Sequence, residues 1–418
     1  MPGKNKILYP AQLGLRNYGI LQIHVINALN SHPIENASVQ IFRKEAMDSA
    51  VDVLTTDLSG KTPEVELISP PIEYSLEPNH YLPYTEYIVM TNAEGFRPVM
   101  IDSAQVLPVV KSIQPVRMLP VTEGRSNLEI ITIDPNLLAG TYTPKVYEPE
   151  VKEMPPGEEA KPVVIPEFIT VHTSVPANTA AANYNPGYVS YIKNVVSSVT
   201  YATWPQETLN AVIFSTLSFA LNRVYTNWYP RRGYDFDITS TAAFDQKWLN
   251  GRNIFTNISQ AVDHIFNNYL SRPDILQPIL TQLCPGELAV CPGMLSLWEG
   301  KLLGDRGYNT LEILHYFFGD TIYINSSDLI TGAGMLWPGT DLGSGASGEA
   351  VVHIQEQLRT ISAAYRAIPL SEDDGNYGQA TQAAVSEFQN IFNLPVTGIT
   401  DKATWYKIDR VYNELTRE

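Results

Sequence analysis

Basic residues are scarce in this chain. Its 28 lysines and arginines face 44 aspartates and glutamates, a formal charge of −16 at pH 7. Nucleic acids and anionic bilayers are gripped by basic surface that displaces counterions, so no nucleic acid and no membrane is expected as a partner. Long apolar runs are missing too: no segment approaches the ~20 residues that span a bilayer core. Met1 to Tyr18 carries Lys4, Lys6 and Arg16 without the continuous apolar stretch of a secretory leader, so no signal peptide is expected. Only two cysteines occur, Cys284 and Cys291, in C-P-G-E-L-A-V-C-P-G. With no C-x-x-C and no paired histidines nearby, a zinc site is not expected, which favours a local disulfide or two free thiols. No other metal and no cofactor is expected. His172, His264 and His315 are scattered along the chain, as structural histidines are.

What remains is ample for burial. With 44% hydrophobic residues in 418, the chain divides into two or three domains, the composition of a globular protein with a neutral or carbohydrate partner. After an N-terminal tail (1–17), residues 18–120 alternate apolar and polar positions in short runs. Examples are Leu21-Gln22-Ile23-His24-Val25-Ile26 and Ala37-Ser38-Val39-Gln40-Ile41, with turns at Asp57-Leu58-Ser59-Gly60 and Glu94-Gly95-Phe96. That spacing predicts an N-terminal antiparallel β-sandwich. Residues 121–165 are rich in proline, glutamate and glycine, and Pro144, Pro149, Pro155, Pro156 and Pro162 predict an extended linker.

Residues 166–330 predict a central α+β domain. Leu209, Val212, Ile213, Leu217, Ala220, Leu221 and Val224 recur at helical spacing over 207–229, and Ile258, Ala261, Val262, Ile265, Phe266 and Tyr269 over 257–270. Phe168 to His172 and Asp320 to Ile324 read as strands. A Gly/Ser/Asp-rich joint (331–342) leads to a small helical module, 343–418, with helices lined by Val351, Ile354, Leu358 and Ile361 and by Ala380, Ala384, Phe388 and Ile391.

Two stretches carry a resemblance. Asp373-Asp374-Gly375-Asn376-Tyr377-Gly378-Gln379-Ala380-Thr381, followed by Phe388-Gln389, Leu394-Pro395, Thr397-Gly398 and Thr404-Trp405, resembles the type 1 peptidoglycan-binding fold. Glycines 375 and 378 suit a tight turn at positive φ, and Asp374 and Thr381 suit helix caps. The resemblance adds a groove in which Asp374, Gly375, Tyr377, Gly378 and Thr381 meet sugar or peptide stem. Further upstream, Tyr188 to Ala211 reads Y-V-S-Y-I-K-N-V-V-S-S-V-T-Y-A-T-W-P-Q-E-T-L-N-A. This resembles the SpoIID/LytB domain and, more closely, the lytic domain of the SleC family of spore cortex-lytic enzymes. The order of sandwich, linker, lytic domain and wall-binding module resembles that family over nearly the full chain.

That resemblance implies lytic transglycosylation of spore cortex peptidoglycan, a spore location, and a precursor cut by a subtilisin-like protease, here placed within 121–127. It also implies a catalytic Glu five residues before Trp204-Pro205, where this chain has Val199. Valine neither gives nor takes a proton, and removing general acid catalysis costs about 10²- to 10⁴-fold in rate. Glu207, Asp245 and Glu299 are the candidate substitutes, Glu207 being equally suited to a helix first turn. Asp245-Gln246 is the pair placed in the groove. The family's S-Q-W-G reads Ser296-Leu297-Trp298-Glu299, so Trp204, Gln246, Ser296 and Trp298 are the implied substrate contacts. The function so implied is a peptidoglycan-binding protein of the SleC type with impaired catalysis; an active enzyme with a displaced acid and a structural spore scaffold are the alternatives.

Overall fold

The computed structural model describes residues 17–121, 127–140, 142–158, 161–286, 291–370 and 373–417. The sheet-rich N-terminal region contains β1 (Asn17–Asn27), β2 (Ser38–Arg43), β3 (Asp52–Thr55), β4 (Val65–Ser69), β5 (Thr85–Asn92), β6 (Val99–Val106), β7 (Lys111–Met118) and β8 (Glu129–Thr132). Alternation does its expected work: Leu21, Ile23 and Val25 of β1 and Val39 and Ile41 of β2 are fully buried in one core between two sheets.

Strand direction departs from the antiparallel expectation. One sheet has the order β3-β2-β5-β6-β8, with β8 parallel to β6. In the other, β7 lies parallel to β1. The cause is connectivity. Leu107 to Val110 carries the chain from one sheet to the other, so β7 arrives alongside β1 rather than folding back on β6. The crossing is tight: a Cβ on Gly19 would stand 2.0 Å from the Leu107 carbonyl oxygen, so only glycine fits there.

The 121–165 segment also differs from a free linker. Residues 129–132 form β8, Ile133 enters the sandwich core, and Leu137, Val163 and Ile165 are buried in the neighbouring domain. Between Val121 and Pro135 there is no proline, and Leu128-Glu129-Ile130-Ile131-Thr132-Ile133 alternates as a strand does. Most of the proposed processing segment, residues 122–126, lies outside the described residues.

The central region is built on helices α1 (Tyr188–Val199), α2 (Gln206–Tyr225), α3 (Thr256–Ile265), α4 (Leu297–Asp305) and α5 (Thr310–Phe318). Short strands frame them: β9 (Val171–His172), β10 (Asn183–Tyr184), β11 (Ile238–Thr239), β12 (Ile254–Phe255), β13 (Asn268–Ser271), β14 (Leu283–Cys284), β15 (Leu295–Ser296) and β16 (Tyr323–Ser326). The apolar run over 257–270 is thus split: α3 stops at Ile265 and Tyr269 lies in β13, which pairs with β16. β12 joins the sandwich by pairing with β7.

Helix α2 is the axis of this region. It is buried nearly all round, a position that Thr208, Thr216 and Ser218 tolerate because each finds a backbone acceptor, whereas Ser215 Oγ has none. Thr216 Oγ1 donates to the Val212 carbonyl (2.8 Å), Ser218 Oγ to that of Ile279 (2.7 Å), and Thr208 Oγ1 to that of Gly300 (3.1 Å). Among the described residues no helix is long and apolar enough to cross a membrane.

The C-terminal helical region holds α6 (Glu349–Ala364), α7 (Gln379–Ile391) and α8 (Lys402–Thr416). It docks on both other regions. Lys61 donates to the Asn390 carbonyl (3.0 Å) and Lys111 to Asn393 Oδ1 (2.9 Å), from the sandwich. Arg410 pairs with Asp263 (2.7 Å) and Lys402 donates to Asn267 Oδ1 (2.9 Å), toward the central region.

Candidate functional sites in the central domain and the C-terminal module

Val199 is the last residue of α1 and is 3% exposed. The helix end beneath it is tied down by polar contacts: Asn136 Nδ2 donates to the Thr200 carbonyl (2.9 Å) and Arg252 to that of Ser197 (2.5 Å). Val199, Asp245 and Gln246 line one crevice, together with Lys145 and Phe219. The crevice has a volume of about 10 Å³, room for about one water and not for a sugar ring.

Asp245 is fully buried and both of its oxygens accept hydrogen bonds. Oδ1 takes Arg223 Nε at 2.7 Å; Oδ2 takes Tyr229 OH at 2.6 Å, Thr239 N at 2.9 Å and Thr239 Oγ1 at 2.8 Å. Gln246 is similarly committed, accepting from Tyr191 OH (2.9 Å) and donating to the Thr216 carbonyl (3.1 Å). Arg223 reaches past Asp245 to Glu148 (2.6 Å), which also holds Lys152 (2.7 Å). Burial opposes ionisation of Glu148, yet Arg223 and Lys152 hold it below the usual carboxylate range.

Lys145 is the unusual member of the crevice. Its ammonium donates to the Asp245 carbonyl and lies 4.9 Å from the Phe219 ring centroid. Burial lowers its pKa to about 8, with Asp245 opposing the shift. Neither Lys145 nor the Arg223–Glu148 pair is marked by local sequence pattern, since Glu148 sits in the proline-rich segment. Arg223 does leave a trace: it is the one basic residue in α2.

The other carboxylates stand apart from this crevice. Glu207 is exposed and accepts from Thr310 N (2.7 Å) and Thr310 Oγ1 (2.5 Å), tying the start of α2 to the first turn of α5, whose N-cap is Asn309. Glu299 is exposed and accepts from Tyr316 OH (2.7 Å). Ser296 is the N-cap of α4, accepting from Glu299 N at 3.4 Å. Trp204 and Trp298 pack together, with ring centroids 5.0 Å apart and Tyr201 against both. Trp204 is 3% exposed and its indole N–H donates to the Ser75 carbonyl (2.8 Å). Ser75 belongs to the N-terminal region, so the sandwich roofs the Trp-Pro turn. Cys284 and Cys291 form a disulfide, with Cα atoms 6.2 Å apart.

In the C-terminal module the signature loop is organised by Gln355 of α6. Its Oε1 accepts from Gly375 N (2.9 Å), while Nε2 donates to Asp374 Oδ1 (3.2 Å), the Asn376 carbonyl (3.0 Å) and Thr381 Oγ1 (3.0 Å). Gly375 has φ +71°, as the turn requires, whereas Gly378 has φ −90°, an ordinary extended value. Gly378 itself is the N-cap of α7, with no side-chain cap, so Asp374 and Thr381 serve the loop instead of capping. Tyr377 is 2% exposed and its hydroxyl donates to the Gly398 carbonyl (2.9 Å), placing the ring in the core. Asp374, Asn376, Gly378, Gln379 and Ala380 are the exposed members. Hydrogen bonds from the Asn376 backbone and side chain, then Gln355, hold the Asp374 carboxyl below its usual range.

Residues 347–408 match the family described as "Putative peptidoglycan binding domain". A 78-residue stretch is 36% identical to the zinc D-Ala-D-Ala carboxypeptidase of Streptomyces albus G, covering 19% of this chain and 29% of that protein. The chain thus spans less than a third of that relative's length. Among solved structures, the SleB N-terminal domain is 30% identical, covering 17% of this chain and 92% of that one, with a TM-score of 0.15. GBS52, the minor pilin of Streptococcus agalactiae, is 12% identical over 27% of this chain and 48% of its own, with a TM-score of 0.19. The C-terminal module is therefore of the peptidoglycan-binding type, and peptidoglycan is the partner it supports.

Proposed function

We propose that this chain is a spore cortex peptidoglycan-binding protein of the SleC type whose central domain no longer cuts glycan. One observation carries the reading. At the position where the resemblance implies an acid, Val199 is buried at the end of α1, facing a crevice too small for a sugar. Breaking a glycosidic bond requires a carboxyl that delivers a proton to the leaving oxygen. The nearest candidate in that crevice, Asp245, is occupied by Arg223, Tyr229 and Thr239. Recognition of the wall by the C-terminal module is independent of that loss. Processing by a subtilisin-like protease within 121–127 belongs to the same proposal.

A second reading has its own support. Glu299 is solvent-exposed, hydrogen-bonded to Tyr316, and adjacent in sequence to Trp298, a combination suited to gripping a sugar and protonating it. An active enzyme would use this displaced acid. The two readings separate in one experiment on decoated spores and purified cortex sacculi. Co-sedimentation of the wild-type chain with sacculi, and no anhydro-muramic ends among released muropeptides, is the expected result. Release of such ends, abolished by Glu299→Gln, would establish the second reading. Binding without cutting in every variant, Val199→Glu included, would favour a structural scaffold.

A further inference from the structure

The proline-rich segment crosses the central region as a strap, and its ends and its middle are held by different forces. Leu137 at one end, and Val163 and Ile165 at the other, are rooted by apolar burial in the core of the central region. Residues 142–152 between them are held chiefly by polar contacts, with Tyr142 and Val151 partly buried beside these. Arg223 grips Glu148 with two nitrogens (2.6 and 3.1 Å), and Arg272 grips Glu150 in the same way (2.8 and 2.9 Å). Two glutamine side chains clasp the backbone. Gln282 Oε1 accepts from Glu148 N (3.2 Å) while its Nε2 donates to the Val146 carbonyl (2.8 Å). Gln277 serves both backbone groups of Lys152, accepting from its N (2.7 Å) and donating to its carbonyl (3.1 Å). Leu280 N adds a bond to the Glu150 carbonyl (2.7 Å). Val146, Tyr147 and Pro149 face solvent.

The first part of the strap lies at the Val199 crevice. Lys145 is one of the lining residues, and its ammonium reaches the Asp245 carbonyl and the Phe219 ring, which line it too. The other polar lining residues, Asp245, Gln246, Lys247 and Thr281, belong to the central region. A segment fixed by apolar burial leaves only when its core does, whereas one fixed by ion pairs and amide bonds can exchange them for water and open locally. Opening here strands no buried cation. Arg223 keeps Asp245 (2.7 Å), Arg272 keeps Thr321 Oγ1 and the Phe318 carbonyl (2.7 Å each), and Lys152 leaves together with its own partner Glu148. Exposed glycines flank the strap, Gly140 on one side and Gly157 on the other, the latter at φ +86°. We propose that residues 142–152 are a lid over the Val199 crevice, which lifts as a unit while Leu137 and Val163 hold its ends. Removing Lys145 from the lining joins the crevice to solvent beside Asp245, Gln246 and Thr281. The small closed volume is thus set by the lid as well as by the walls. This device goes beyond wall binding and does not depend on it.

A thiol placed in the crevice of the full chain reports the opening. The two cysteines of the sequence are joined in a disulfide, so Val199→Cys supplies a single reactive thiol at nearly constant volume. It should react with a maleimide more slowly than a free thiol and faster than Val212→Cys, a control buried in α2 that reports unfolding of the whole region. Glu150→Gln removes one fork at a carboxylate that is 39% exposed, a change the fold should tolerate. It should speed labelling at 199 by about fivefold, the upper end for an ion pair open to solvent, with a smaller effect at 212. Amide exchange in the unsubstituted chain gives an independent reading: the amides of Glu148, Lys152 and Leu280 should exchange together and ahead of those of α2. Labelling at 199 no faster than at 212, or no response to Glu150→Gln, overturns the proposal. So does exchange of the three amides only along with α2. Reaction at the rate of a free thiol would show that nothing covers the crevice, and overturns it equally.

Discussion

Asp263 of α3 lies 2.6 Å from Lys193 of α1 and 2.7 Å from Arg410 of α8, and it is fully buried. One carboxylate thus joins two helices of the central region to the last helix of the C-terminal module. Lys193 and Arg410 help hold the Asp263 carboxyl below its usual range, against the effect of burial.

Removing that carboxylate leaves Arg410 buried without its acceptor, while Lys193, whose pKa burial already lowers to about 7 with Asp263 in place, is expected to shed its proton. Breaking a buried ion pair by deleting one partner costs about 3–5 kcal/mol. Asp263→Ala is expected to lower the stability of the chain by that order in urea denaturation. A second effect follows from geometry: the C-terminal module loses its central tether, so the single transition should divide into two. An unchanged midpoint would show that the contact is not formed in solution.

Lys145 gives a pH signature. Its folded pKa is about 8 against an ordinary 10.5, so the folded state gives up its proton first. Between these values the unfolded chain binds more protons, and stability therefore rises with pH. The penalty is fully present below pH 8. Lys145→Met removes it, so the variant should match or exceed the wild type at pH 7, and the gap should close as pH rises from 8 toward 10. Melting curves of both proteins across that window provide the measurement. A gap that widens with pH would refute the assignment.

Trp204 joins the N-terminal region to the central one through the Ser75 carbonyl. Trp204→Phe keeps an aromatic ring but deletes the donor, leaving that buried bond unmade. The expected loss is about 1 kcal/mol in stability. Because the bond crosses between regions, limited proteolysis should also cut faster around residues 70–84. Equal proteolysis rates would show that the roof is held by packing alone.

Much of this architecture is legible from pattern, and what is not has identifiable causes. The spacing of Leu209, Val212, Ile213, Leu217 and Leu221 specifies α2, but not that its opposite face is buried too, because Ser218 and Thr216 look solvent-bound until their backbone partners are known. Alternation in β7 marks a strand and is silent on its direction, which the crossover at Leu107 to Val110 decides. The ion-pair chain through Asp245 spans distant sequence: Arg223 is 22 residues from Asp245, and Glu148 is 75 from Arg223. In the C-terminal signature, residues that shape the turn, such as Gly375 and Tyr377, alternate with outward-facing Asp374 and Asn376. A motif match reports them together, although their environments differ.

Val199→Glu sets the buried environment of this position against its implied chemistry. The new carboxyl enters a site that is 3% exposed, so it should lower the melting temperature. Lys145, lining the same crevice, offers a countercharge that limits the loss. Were the crevice the closed form of a glycan groove, the restored acid would raise release of anhydro-muramic ends by about 10²- to 10⁴-fold over the wild type, the range general acid catalysis contributes. That gain, measured on cortex sacculi and absent from Val199→Gln, whose amide is not an acid, would show that the crevice opens to admit glycan; no gain in Val199→Glu would show that it stays too small for a sugar ring. Strong scission by the wild-type chain, equal to that of the variant, would mean that the proton comes from another residue and that the valine is incidental.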